Sequence, residues 1–469
     1  MKRIFNLLLF VCISSAVLAQ GKAKYVFYFI GDGMGVNQVN TTEVYRADAQ
    51  ENRIGIIPLA FTQYPVVSMS TTYCADSPVT DSAAAGTALA TGHKTYSGAI
   101  GVDVDKNPVV TVAEMAKRSG KKVGVATSVS IDHATPAAFY AHQINRSMYY
   151  EIALDIPKAG FDFFAGGGFL RPDKTYSKEE APSIYPILES AGYTIARGYN
   201  DYKAKANGAQ KMILIQEEGA DASSIPYAID RKPGDLTLAQ ITESALSFLT
   251  KDNKKGFFLM VEGGKIDWSC HDNDAATTVQ EVIDMDEAIK VAFDFYKKHP
   301  KETLIVITAD HETGGITLGK KSYHANLKVL KHQKQSLSGL SKKITELRKQ
   351  KNHKVTWEEI KELLGETMGF WKETPVDWEN EKILRDAFEA SFNAKANQEM
   401  EQRMYSTSEP LASAANKVMS NIAYVGWSSG DHSGGYVPVY AIGAGSELFM
   451  GKIDNTDIPK RIAKAAGYK

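Results

Sequence analysis

The chain has 469 residues, 43% of them hydrophobic and 23% charged, the balance of an ordinary globular protein. A formal net charge of -1 gives no overall attraction to nucleic acid or to an anionic membrane, so any affinity for anions has to come from a local site. After the N-terminus no segment reaches the ~18 apolar residues of a membrane span.

Residues 1–19 read as an export signal. Lys2 and Arg3 form a basic start, residues 7–17 a short apolar core, and Val17 and Ala19 suit the -3 and -1 positions of a cleavage site. Cleavage after Ala19 predicts a periplasmic or extracellular protein. Cys12 falls inside the apolar run, so only Cys74 and Cys270 remain in residues 20–469. Sequence cannot place them within bonding distance, and two free, buried thiols are expected. Two thiols are too few for a Cys-based zinc site.

Several apolar, β-branched runs then end abruptly in polar or glycine residues. Residues 25–30 run into Gly31-Asp32-Gly33, and 122–127 into Ser128 and Ser130. Residues 257–261 stop at Glu262, 303–309 at Asp310, and 437–442 at Gly443. Each predicts a buried strand of a parallel or mostly parallel sheet. Helical patterns lie between them, at 109–119 and 277–297. The alternation predicts an α/β fold: a large central, mostly parallel sheet flanked by helices. Residues 20–469 read as one catalytic domain. In such sheets ligands bind beyond the carboxyl ends of the strands, where Asp32, Glu262 and Asp310 stand.

The stretch from about 320 to 420 differs. Residues 320–354 are strongly basic, with Glu346 as the only acid. Thr356 and Glu359 form a capping-box pattern. Trp357, Ile360, Leu363 and Leu364 follow at helical spacing, and Ile383, Leu384, Ala387, Phe388 and Phe392 repeat it. This is read as a helical insertion into the sheet domain: a lid over the cleft, a dimer contact, or a solvated decoration.

Four motifs carry metal or nucleophile chemistry. Ser82 follows Asp81 and opens a run of small residues. A serine at a helix N-terminus meets unpaired N–H groups and the positive end of the dipole, and it also makes an ordinary N-cap. Asp267 and His271 are four apart, which suits a grip on one metal or a surface pair. Asp310-His311 offers two adjacent ligands at a strand end. His432 sits in Ser429-Gly-Asp-His-Ser-Gly434. Carboxylates and imidazoles together suffice for two Zn²⁺-like ions of the open, catalytic type. Further along the chain order, Thr135 offers a hydroxyl to a hard ion and Arg146 a fork for phosphate oxygens, or they are a cap and a surface charge.

Thr80-Asp-Ser-Ala-Ala-Ala-Gly-Thr-Ala88, with Thr91-Gly92 and Lys94-Thr95, closely resembles the alkaline phosphatase active-site signature. The likeness continues in order from Asp32 to His432. It implies hydrolysis of small-molecule phosphate monoesters through a phosphorylated Ser82, with Arg146 clamping the phosphoryl group. It implies two Zn²⁺ ions. Asp267, His271 and His432 resemble ligands of the zinc that binds the leaving oxygen, and Asp32, Asp310 and His311, with Ser82, ligands of the zinc that activates the serine. One Mg²⁺ is implied at Asp32, Thr135 and Glu262. His133 stands where some relatives have Asp and bears on the third metal site, and Trp268 stands where some have Lys and cannot supply an ammonium to the bound phosphate. A homodimer and higher activity at alkaline pH are implied as well. Two other readings are a phosphodiesterase or sulfatase of the same superfamily and a metal- and phosphate-binding protein without turnover. Ser82-Ala-Ala-Ala lacks the x-P-x-R that a sulfatase needs.

Overall fold

The computed structural model describes residues 22–321, 323–393, 401–402 and 407–469. The predicted export signal at 1–19 lies outside them. Ten strands form one sheet. They are β1 (Tyr25–Gly31), β2 (Val66–Ser70), β3 (Lys122–Thr127), β4 (Phe163–Ala165), β5 (Tyr193–Arg197), β6 (Lys211–Ile215), β7 (Phe257–Gly263), β8 (Thr303–Thr308), β9 (Val437–Gly443) and β10 (Lys452–Ile453). Their spatial order is β10-β2-β9-β8-β1-β7-β3-β4-β6-β5.

The central strands β1, β7 and β8 carry apolar side chains on both faces along their middles because both faces are covered. Along β1, Val26, Tyr28 and Ile30 enter one core, while Phe27 and Phe29 enter the other. The first core takes Leu89 and Ala90 of α1 (Ser82–Thr91) and Ile458 and Ile462 of the C-terminal helix Asp457–Ala466. The second takes α2 (Leu238–Thr250) and, beyond the short α3 (Lys265–His271), the long α4 (Ala275–Lys298). The helix predicted over 277–297 is thus α4, begun two residues earlier because Asp274 caps Thr277 N–H. That predicted over 109–119 is shorter, Val112–Arg118, and starts at a Thr111–Glu114 capping box.

The run at 437–442 is a buried strand of this mostly parallel sheet, as expected. Within it β9 runs antiparallel to both neighbours, β2 and β8. Its end at Gly443 therefore points away from the carboxyl ends of β1, β7 and β8. Its start lies beside the end of β8, with Val439 opposite Thr308. His432 reaches the site because it precedes an antiparallel strand.

Residues 320–420 contribute α5 (Leu337–Gln350), α6 (Trp357–Met368), α7 (Trp378–Phe388) and α8 (Pro410–Ala423). Thr356 and Glu359 make the anticipated capping box at α6. Leu340, Ile344, Ile360, Leu364 and Leu384 form a third core that also takes Ala275, Ala276 and Val279 of α4. Cys74 and Cys270 are both buried and free. Among the described residues no helix is long and apolar enough to cross a membrane.

Candidate active site

Three adjacent strands, β8, β1 and β7, deliver Asp310, Asp32 and Glu262 side by side at their carboxyl ends. All three are fully buried, as is Asp267 in α3. Close approach of these elements depends on Gly33, which adopts φ +69°. A Cβ there would come within 2.9 Å of Asp267 Cα and 2.8 Å of Thr313 Oγ1.

Ser82 opens α1, but it is not the cap. Asp81 is, with its Oδ1 accepting Ala84 N–H at 3.0 Å. The hydroxyl of Ser82 is thereby released from capping, and its Oγ lies 3.2 Å from His311 Nε2. Asp81 has a second task. Its Oδ2 accepts from Arg146 Nη1 at 3.0 Å, which orients the guanidinium toward the same helix end. Burial works to raise the Asp81 carboxyl, but Arg146 and two backbone N–H groups hold it below the usual range.

The imidazoles have defined tautomers. His271 Nδ1 lies 2.6 Å from Gly430 O, and His432 Nδ1 lies 2.8 Å from Thr80 O. A carbonyl only accepts, so each Nδ1 carries a proton, and in the neutral form of each ring the lone pair is at Nε2. These two Nε2 atoms stand 3.2 Å apart, with Asp267 Oδ2 3.3 Å from the first. His311 follows the same logic. Thr313 Oγ1 donates to Asp267 Oδ1 at 2.5 Å, so at 3.2 Å it accepts from His311 Nδ1. His311 Nε2 then faces Asp310 Oδ2 at 3.2 Å and Asp32 Oδ1 at 3.3 Å. Lone pairs and carboxylates converge, an arrangement that only positive charge stabilises.

The ionisation of the carboxylates says the same. Burial pushes Asp32 and Asp310 well above the carboxylate range, and mutual repulsion adds to it. Burial also raises Glu262, to about 7, against a very short hydrogen bond from Thr127. Asp267 is held low despite burial, because His271, His432 and His311 surround it. Asp32 Oδ1, Glu262 Oε1, Asp267 Oδ2 and Asp310 Oδ2 accept no hydrogen bond from the described residues. This donor set of carboxylate oxygens and neutral imidazole nitrogens fits Zn²⁺- and Mg²⁺-like cations.

The ligand atoms gather in three groups, each within 4.8 Å: Asp32, Asp310 and His311; Asp267, His311 and His432; and Asp32, His133 and Glu262. The predicted residues are therefore brought together, with three details added. His311 borders two groups. His271 adjoins the second through His432 and Asp267. His133 enters the third, where Thr135 Oγ1 donates to Asp32 Oδ2 at 3.4 Å. Burial and the Arg146 charge push His133 down to about 3, so its ring is neutral. Trp268 packs edge-on against it, ring centres 5.8 Å apart. Sequence reading gave no role to Thr313, Thr127 or Asp81. Their only signal was adjacency to a motif residue or a strand end.

The alkaline phosphatase family profile matches residues 23–162 and 209–468. The chain belongs to the alkaline phosphatase family. Alkaline phosphatase 3 of Bacillus subtilis (strain 168) is 35% identical over 461 residues, covering 96% of this chain and 90% of its own. The crystal structure of a cold-active alkaline phosphatase from the psychrophile Shewanella sp. superposes with a TM-score of 0.78 at 30% identity, covering 94% of this chain and 99% of that one. The alkaline phosphatase of the Antarctic bacterium TAB5 does so with 0.66 at 28%, covering 96% and 99%. The chain is accordingly a phosphomonoesterase of a metal-dependent family, and its buried carboxylate–imidazole groups are candidate metal-binding residues.

Proposed function

We propose that this alkaline phosphatase hydrolyses phosphate monoesters in two displacements through a phosphoserine at Ser82. One observation carries the reading: Ser82 Oγ, freed from capping, sits 3.2 Å from the Nε2 lone pair of His311, beside the buried carboxylates Asp32 and Asp310. Two Zn²⁺ ions are proposed, one at Asp32, Asp310 and His311 with Ser82, the other at Asp267, His271 and His432. One Mg²⁺ is proposed at Asp32, Thr135 and Glu262, with His133 alongside. When bound, these cations supply the positive charge that favours an ionised serine and a departing alkoxide.

The remaining work falls to the protein. Arg146, anchored by Asp81, donates to two non-bridging oxygens and holds the phosphoryl group over Ser82. The N-terminus of α1 adds backbone N–H groups and the positive end of its dipole. In the first displacement the Oγ–P bond forms as the ester P–O bond breaks, and the alcohol leaves with a proton. In the second, water oxygen bonds to phosphorus, the Oγ–P bond breaks, and Ser82 regains its proton. Brief exposure to substrate, acid quenching and peptide mass spectrometry should find phosphate on Ser82. Phosphate elsewhere, or wild-type turnover by Ser82→Ala, would sink the assignment.

Two further proposals concern context. Export is supported by the order of charge, apolar run and small residues in 1–19. A homodimer is supported by an apolar outer face on the edge of the sheet. Val67 and Met69 of β2 are exposed by 60% and 51%. Tyr436, just before β9, and Met450, just before β10, are exposed as well.

A further inference from the structure

A cavity of about 600 Å³ adjoins the site on the side of His271 and Trp268. That volume is ordinary for a small-molecule pocket, and it exceeds what a phosphate needs. One wall is α5. Ser338, Lys342, Thr345 and Lys349 recur every three to four residues and so share one helix face, turned to the cavity. The facing wall is the segment at 216–235, which offers Asp221, Ser223 and Ser224.

The position says what part of a substrate would enter. On the proposed reading, Asp267, His271 and His432 serve the leaving oxygen, and His271 lines this cavity. The alcohol portion of the ester is therefore directed into it.

The chemistry of the walls says which alcohol. Hydroxyls of Ser223, Ser224, Ser338, Ser341 and Thr345 are interspersed with charges of both signs. Lys265, Lys342 and Lys349 line it together with the acids Asp221, Asp230, Asp235, Asp272 and Glu346. An anionic leaving group would meet those acids, and a cationic one the lysines. An alkyl chain would strip water from both without replacing its hydrogen bonds. A neutral polyhydroxyl compound donates and accepts at every carbon, so it matches both signs, and hydrogen bonds to charged groups are the stronger kind. The half-buried Trp268 in its lining offers an apolar ring to the C–H side of a sugar.

We propose that this cavity is the leaving-group subsite and that it selects phosphorylated sugars over alkyl phosphates, with Lys342 and Thr345 as specificity-determining residues. The inference rests on the phosphomonoesterase reading of Ser82 and its neighbours.

The test uses the metal-loaded full chain and three esters: p-nitrophenyl phosphate, n-hexyl phosphate and glucose 6-phosphate. The last two are both primary alkyl esters and differ mainly in hydroxyls. A kcat/KM at least tenfold higher for the sugar phosphate is expected. In Lys342→Ala/Thr345→Ala the ratio of sugar to hexyl phosphate should fall at least fivefold, chiefly through KM. Calorimetry on Ser82→Ala gives a second readout, in which the same double substitution should weaken glucose 6-phosphate binding at least fivefold. Equal kcat/KM for the two alkyl esters, or an unchanged ratio in the variant, overturns the subsite while aryl phosphate hydrolysis leaves the function standing. Failure to hydrolyse any of the three overturns the function and the subsite with it.

Discussion

His271 and His432 turn their Nε2 atoms toward each other at 3.2 Å, each with its Nδ1 proton committed to a backbone carbonyl. Two lone pairs at this distance repel. The Asp267 carboxylate, 3.3 Å from one Nε2 and 3.6 Å from the other, adds negative charge to the same point. A proton relieves this in part: burial opposes charging of His271, yet Asp267 outweighs it and raises the ring above its ordinary value. A divalent cation relieves it fully, and the carbonyls of Gly430 and Thr80 fix both rings in the orientation it needs.

Removing the cations should therefore silence the enzyme. Chelation is expected to abolish turnover, and Zn²⁺ with Mg²⁺ to restore it. His432→Ala should lower the bound zinc by about one ion per chain, since it removes one of three ligands from a site with few donors to spare. Elemental analysis of the purified variant reads this directly. An unchanged metal content would mean that the His271–His432 pair is not a metal site.

Ser82→Ala should reduce kcat by at least ~10³-fold, because serine and its activating neighbours act as a unit. It should leave the fold intact. Asp81, not Ser82, caps α1, so the ~1 kcal/mol of a lost cap is not at stake. A thermal melt separates this outcome from misfolding: the melting temperature should be unchanged in the metal-free protein.

Arg146 and Asp81 divide by the same reasoning. Arg146→Ala removes a pair of hydrogen bonds to a charged ligand, worth about 2 kcal/mol, or roughly 30-fold in kcat/KM. Asp81→Asn keeps an oxygen for Ala84 N–H but weakens the hold on Nη1. A several-fold loss with little change in stability is expected there. A large drop in melting temperature would show that Asp81 matters as a cap and not as a guide for Arg146.

Much of this site was legible in the sequence for a physical reason. β1, β7 and β8 are buried on both faces, so each is an apolar run that stops where the chain meets the polar cleft. Asp32, Glu262 and Asp310 stand at those stops. The direction of β9 was not legible, since an apolar run reads the same either way. His432 was thus assigned from its motif and not from its place in the sheet. Thr313 was passed over because its role needs Asp267 and His432, which come from distant segments. It touches Asp267 and His311 at once, and it belongs to a two-residue strand, Glu312–Thr313, paired with His432–Ser433. Asp81 was masked by its neighbour: a serine at a helix start resembles a cap, and only geometry shows that the aspartate took the position.

The apolar edge face makes a prediction about assembly. Val67 and Met69 alternate with buried neighbours along β2, so both point outward. Replacing both with aspartate should dissociate the proposed dimer, since two charges would be buried unpaired at its centre. Sedimentation velocity should then report a monomer of about half the wild-type mass. A wild-type protein that is already monomeric would refute the pairing.

The carboxylate cluster sets the last prediction, on pH. Glu262 in the metal-free fold is raised by burial from 4.5 to about 7, and Asp32 and Asp310 are raised as well. Between these limits the folded chain binds more protons than the unfolded one, so its stability falls as pH rises. For Glu262 alone the loss is roughly 3 kcal/mol between about pH 4.5 and pH 7. Cations take the place of those protons and bind more tightly as the ligands deprotonate. The metal-free enzyme should therefore melt lower at pH 8 than at pH 5.5, and the rise in melting temperature on adding Zn²⁺ and Mg²⁺ should be larger at pH 8. Calorimetric scans of both forms at the two values decide it. A metal-free protein equally stable at both would mean that these carboxylates are not held protonated in its interior.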